Sequence, residues 1–112
     1  MKLALFFDND KSNASQFDDM AKHAFQATEL LKALSSESRL MILCILVEGE
    51  KSAGQLNKLT NRTQSSVSQE LARLRRQGLV ESRREGRTVY YSIKSEEARH
   101  IISTLHEIYC ES

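Results

Sequence analysis

The stretch Thr63–Gln77, TQSSVSQELARLRRQ, reads as one helix with a buried side and a polar side. Val67, Leu71 and Leu74 stand at i, i+4 and i+7, a single apolar stripe at helical period. Thr63 suits the N-cap, where its hydroxyl can accept from the backbone N–H of Ser65 or Ser66, and Gly78 suits the C′ position. Turning each residue by about 100° brings Gln64, Ser65, Ser68, Gln69, Ala72, Arg75 and Arg76 to the outer side, while Glu70 projects from the other flank. That outer side carries no acid. Short amides and hydroxyls in the first two turns can reach base edges in a DNA groove, and the arginines further along can reach phosphate. A plain solvated face has the same polarity, so the flanking segments decide between the two.

Downstream of Gly78 the period changes from helix to strand. Leu79–Arg83, a Glu85-Gly86 turn and Thr88–Ile93 predict a β-hairpin, with Arg83, Arg84 and Arg87 around its tip. A basic hairpin beside a reading helix is a wing, placed to touch phosphate or the minor groove. Upstream, Ser52 caps a short amphipathic helix to Leu59, and Thr60–Arg62 lead into the Thr63 helix, which makes a helix-turn-helix. Before it, Ser35 and Ser36 offer a cap for SESRLMILCILVEG, apolar nearly all round from Leu40 to Val47 and so expected in the middle of the core. A first helix is expected from Phe17 to about Leu34, with Asp18 and Asp19 in its first turn. Ser95 caps a last helix carrying Ala98, Ile101, Ile102, Leu105, Ile108 and Tyr109. The fold class is therefore mainly α with a β-hairpin wing. The first and last helices hold more apolar surface than one small domain buries, which predicts a homodimer through them, suited to two DNA half-sites.

Residues 1–16 show no sustained period and are expected to be a flexible arm, with Leu3, Leu5, Phe6 and Phe7 able to dock; residues 17–112 form the DNA-binding and dimerisation domain. At 112 residues and 40% hydrophobic content, one modest core is possible. The net charge is only +1, yet between Arg73 and Arg87 there are six arginines (73, 75, 76, 83, 84 and 87) against two glutamates (81 and 85). That local patch is the electrostatic footprint of a double-stranded DNA partner. The apolar start Met1–Phe7 is too short for a signal peptide or a membrane span, so a cytoplasmic protein with no membrane partner is expected. In that compartment two cysteines point to redox, metal or packing roles rather than a structural disulfide.

The order of elements, together with TQSSVSQELARLRRQGLVESRREGRTVYYSI, closely resembles the ArsR family of winged-helix repressors from Phe17 to Cys110. LMILCIL on the second helix and LHEIYC on the last resemble its sulfide-responsive branch, of the BigR and SqrR type, with the HlyU type close by. The resemblance implies a sensing dithiol at Cys44 and Cys110, with reactive sulfur species as inducer. Relatives often carry His or Gln where this chain has Glu70. Metal sensing, the family's commonest activity, needs ligands that are mostly missing: SAGQLNKL has no Cys or His, and aligning the interfacial zinc pattern on His106 gives Ile93, Ser95, His106 and Tyr109. No metal or cofactor is therefore expected, with a metal-responsive repressor or a HlyU-like anti-silencing activator as the alternatives. An enzyme is not expected, since there is no C-x-x-C in a strand-helix setting.

The residues themselves place the two cysteines differently. Cys44 shares a stripe with Leu40, Leu43 and Val47, where packing alone could explain it. Cys110 lies off the apolar face, on a flank with Arg99, Ser103 and His106. There the carboxyl end of the helix disfavours a thiolate, whereas a protonated His106 at i−4 favours it.

Overall fold

The computed structural model describes residues 14–110, so the expected arm over residues 1–13, with Leu3, Leu5, Phe6 and Phe7, lies outside the described residues. The chain divides into two compact units after Lys32. The first unit's described part is helix α1 (Ala14–Leu34), which runs on into the second unit. It begins before Phe17 because Ala14–Gln16 contain neither glycine nor proline to stop it, and Asp18 and Asp19 consequently sit beyond its first turn. Phe17, Phe25 and Leu31 are exposed along it.

The second unit holds α2 (Glu37–Val47), β1 (Lys51–Ser52), α3 (Ala53–Thr60), α4 (Gln64–Arg76), β2 (Val80–Glu85), β3 (Thr88–Ile93) and α5 (Glu96–Tyr109). Each helix start follows from its cap. Ser36, Ser52, Thr63 and Ser95 accept from the backbone N–H of Arg39, Gln55, Ser66 and Ala98 respectively. At Ser52 the Gln55 side chain also returns a bond to the cap's own N–H, a complete capping box.

The apolar string on α2 is central, as its all-round hydrophobicity predicts. Ile42, Leu43 and Leu46 are fully buried, and α2 packs against α3, α4, α5 and β3. Leu56 from α3, the Val67, Leu71 and Leu74 stripe of α4, and Ala98 and Ile102 of α5 complete the core. Between α3 and α4 the turn is Asn61, Arg62 and Thr63. Asn61 takes the left-handed conformation (φ 56°, ψ 36°) that asparagine tolerates, and the Asn57 amide donates to the Arg62 carbonyl at 3.3 Å. The one buried polar side chain of α3, Thr60, is satisfied by the Leu56 carbonyl at 2.7 Å.

The sheet is antiparallel, in the order β1-β3-β2. The hairpin turn falls at Gly86-Arg87, one residue later than the sequence suggests, because Glu85 still pairs with Thr88 and Gly86 supplies the positive φ (+64°) a two-residue turn requires. The strand β1 is an addition to the expected fold. Lys51 and Ser52 pair with Tyr91 and Tyr90. Among the described residues no helix is long and apolar enough to cross a membrane.

The exit from α4 is a Schellman motif. Gly78 N–H bonds the Arg75 carbonyl and Leu79 N–H the Leu74 carbonyl, while the Leu74 and Leu79 side chains are both buried. A Cβ on Gly78 meets nothing within 4 Å, so only its φ of +75° opposes a side chain there. Gly78→Ala should therefore cost about 1 kcal/mol, against about 2–5 kcal/mol for Leu74→Ala, which opens a cavity; urea unfolding of both variants checks the ranking.

Candidate nucleic-acid interface and thiol pair

The inner stripe of α4 is buried, and its outer residues Gln64, Ser65, Ser68, Gln69, Arg75 and Arg76 are all exposed. Arg73 is exposed as well and joins Ser66, Gln69, Glu70, Ala72 and Arg76 along a concavity of about 440 Å³. It was not among the outer residues read from the sequence, although its position one turn after Gln69 is the signal that could have found it. Arg73, Arg75 and Arg76 form no ion pair among the described residues. They crowd the last turn of α4, where the helix dipole favours positive charge.

Glu70 is half-buried at the edge of the same concavity, with Arg39 of α2 at 3.6 Å, and Arg39 Nε also donates to the Ala33 carbonyl at 2.7 Å. This acid thus ties α4 to the core helix.

On the wing the three expected arginines separate. Arg84 and Arg87 are exposed and unpaired among the described residues. Arg83 is bound differently. Its Nε and Nη2 donate to the two Glu50 carboxylate oxygens at 2.8 Å each, its Nη1 donates to Glu85 at 2.6 Å, and its guanidinium lies 4.7 Å from the centre of the Tyr90 ring. The Arg83 guanidinium holds the Glu50 carboxyl below its usual range, and Glu50, then Glu85, hold the proton on Arg83 more tightly than on a free arginine. Arg83, unlike Arg84 and Arg87, thus faces two carboxylates, and the cluster they form is net negative.

Cys44 and Cys110 are free thiols that line one cavity of about 440 Å³, walled by Leu40, Met41, Leu59, Leu105 and Tyr109, with Glu37 at the same cavity. Cys44 is half-buried on α2, whereas Cys110 is exposed at the C-cap of α5. Burial pushes the Cys44 thiol up, and the nearby Cys110 and Glu48 push the same way. His106 is directed toward Glu48, Nε2 to Oε2 at 2.9 Å, which places a carboxylate beside the imidazole. Among the described residues no group of three or more His, Cys, Asp or Glu is placed to hold a metal ion.

Comparison with known proteins bears on the family. Residues 36–82 match the model of the bacterial regulatory protein family arsR. The transcriptional activator HlyU of Vibrio cholerae is 42% identical over 102 residues, 91% of this chain and 94% of that protein. Among solved structures, reduced HlyU from Vibrio cholerae superposes with a TM-score of 0.79 at 46% identity, covering 82% of this chain and 97% of that one. The transcriptional repressor BigR from Xylella fastidiosa superposes with a TM-score of 0.77 at 40% identity, covering 83% and 92%. These relatives are named as regulators of transcription rather than enzymes, and the matched family model is that of a helix-turn-helix regulator. The chain belongs to the arsR family of bacterial regulatory proteins and is a DNA-binding transcriptional regulator of the winged-helix type.

Proposed function

We propose that the protein acts as a two-fold dimer through α1 and α5, binds a near-palindromic operator, and releases it when the Cys44/Cys110 dithiol reacts with a reactive sulfur species. The observation that carries this reading is the shared cavity, which brings together a core-helix thiol and a C-terminal thiol distant in sequence. Apolar side chains left exposed on α1 (Phe17, Phe25, Leu31) and on α5 (Ile108, Tyr109) support the dimer. A solved relative described as reduced supports redox control.

The two thiols have separate tasks. Exposed Cys110 attacks the terminal sulfur of an organic hydropersulfide RSSH; the S–S bond breaks, RSH leaves with a proton, and Cys110 carries –S–SH. Cys44 then attacks the Cys110 sulfur, expelling HS⁻ and leaving Cys44–S–S–Cys110. Two thiols have been oxidised and one sulfane sulfur reduced, with RSH and H₂S as products; a longer polysulfide leaves extra sulfur in the bridge. The raised Cys44 fits the later step, since little of it is thiolate while Cys110 reacts, and the proton it gives up on attacking the persulfide leaves with the expelled HS⁻ as H₂S. A bridge ties α2 to α5. Because α2 also carries α4 through the core and the Arg39–Glu70 pair, the tie alters the spacing of the two reading helices relative to their half-sites.

Gln64, Ser65, Ser68 and Gln69 supply base readout, and Arg73, Arg75, Arg76, Arg84 and Arg87 the phosphate contacts. A second reading, an activator that displaces another silencer, is favoured by the activator name of the 42% identical relative. A reporter assay in a strain lacking the gene separates the two by its sign.

Wild-type protein should lose operator affinity on polysulfide treatment, whereas Cys44→Ser and Cys110→Ser should bind DNA normally without responding; fluorescence anisotropy reads both, and a serine variant that still releases DNA removes the dithiol mechanism. Gln69→Ala should change discrimination between operator and mismatched duplex by about 1–3 kcal/mol, while Arg87→Ala should weaken all duplexes alike and flatten the salt dependence. Iodoacetamide labelling followed by mass spectrometry should show Cys110 reacting before Cys44 at neutral pH. The Cys44 rate should climb with pH to a midpoint above that of an ordinary cysteine, because a raised pKa leaves little thiolate until the pH is alkaline. Glu48→Gln should lower that midpoint only slightly, burial being the larger cause.

A further inference from the structure

The sheet changes character along the wing. Near its base β3 lies between two strands, with Tyr90 paired to Ser52 of β1 on one side and to Arg83 of β2 on the other. Beyond Tyr90 only β2 and β3 continue, through Arg84–Val89 and Glu85–Thr88 to the turn, and an unsupported two-stranded ribbon is marginal in water. Arg83 stands at this transition. Its guanidinium lies over the Tyr90 ring and reaches across the sheet to take both oxygens of Glu50, which immediately precedes β1. The two outer strands are thereby joined over the central one by a planar, two-point ion pair, with Glu85 closing the remaining nitrogen.

We propose that Arg83 is a positioning residue for DNA binding: together with Glu50 it sets the angle at which the wing tip leaves the sheet, and so places Arg84 and Arg87 against the duplex. The inference rests on the family's DNA binding and not on the thiol mechanism. Electrostatics give it a distinctive sign. If Arg83 were itself a phosphate contact, Glu50 would compete with the phosphate, and removing its charge would strengthen binding. As part of a strut, Glu50 is needed even though it repels DNA.

The test uses full-length protein and a labelled duplex recovered from a random-sequence pool by the wild type, with Glu50→Gln, Arg83→Ala, Arg83→Lys, the double variant Glu50→Gln/Arg83→Ala, and Arg84→Ala for comparison. Thermal melting identifies any variant that fails to fold, and the exposed Glu50→Gln keeps the test open if Arg83→Ala does so. Glu50→Gln and Arg83→Ala are each expected to weaken binding about three- to tenfold, and the double variant to be no weaker than either. Arg83→Lys, which keeps the charge but loses the planar fork, is expected to behave like Arg83→Ala. The salt slope stays at the wild-type value in all of these, and drops by about one counterion in Arg84→Ala. Tighter or unchanged binding in Glu50→Gln overturns the proposal, as does a lowered salt slope in Arg83→Ala with Arg83→Lys restoring it.

Discussion

The elements of the second unit are held in place by the burial of one short helix. Ile42, Leu43 and Leu46 of α2 are shielded on nearly every side, so α3, α4, α5 and β3 each take their position from what they place against it. At roughly 25 cal/mol per Å² of apolar surface, such side chains contribute about 1.5–3 kcal/mol apiece. That is a large share of the stability of a small domain. The reading helix depends on the same core through Val67, Leu71 and Leu74, which leaves its other side free of any structural duty. Cys44 shares the arrangement: its position on the flank of α2 suppresses its ionisation, and it also means that any bond made there pulls on the element to which the others are fitted.

What could be read from the chain alone was whatever is local. Each helix cap depends on residues three apart, the α4 stripe on residues four apart, and the Gly78 exit on one residue's freedom at positive φ; all of these are legible because the interacting groups are near in sequence. A partner distant in sequence is not legible in this way. Arg83 reads as one more basic residue at a wing tip until Glu50 is seen beside it, and Glu70 reads as a projecting flank residue until Arg39 is seen beneath it. The i−4 spacing shows His106 near Cys110 but not Glu48, the C-cap of α2, whose carboxylate lies 2.9 Å from the imidazole. The two-residue strand β1 is too short for any periodicity to show. The thiol roles were implied by the family resemblance; the residues themselves left packing open for Cys44, and the cavity supplies the proximity on which the proposed chemistry depends.

The arginines show why net charge says little about such a protein. A total of +1 conceals two populations. Arg39 and Arg83 face carboxylates and serve the fold, while Arg73, Arg75, Arg76, Arg84 and Arg87 have no acid partner among the described residues. Only the second group has unspent donors for phosphate, and it is confined to the end of α4 and the wing. An approaching polyanion therefore meets a field concentrated where the reading surface lies, which orients the encounter as well as strengthening it.

Leu79 carries a consequence of a different kind. Its N–H closes α4 on the Leu74 carbonyl, its own carbonyl receives Lys94 N–H at the end of β3 and Ser95 N–H at the cap of α5, and its side chain is buried. Four elements are thus pinned at one residue, three positions beyond Arg76, the last residue of α4. The settings of α4, the hairpin and α5 are therefore fixed together in one short stretch of hydrogen-bonded backbone. A change that loosens this junction frees all of them at once, so their relative angle is a property of the main chain and not of any single side chain.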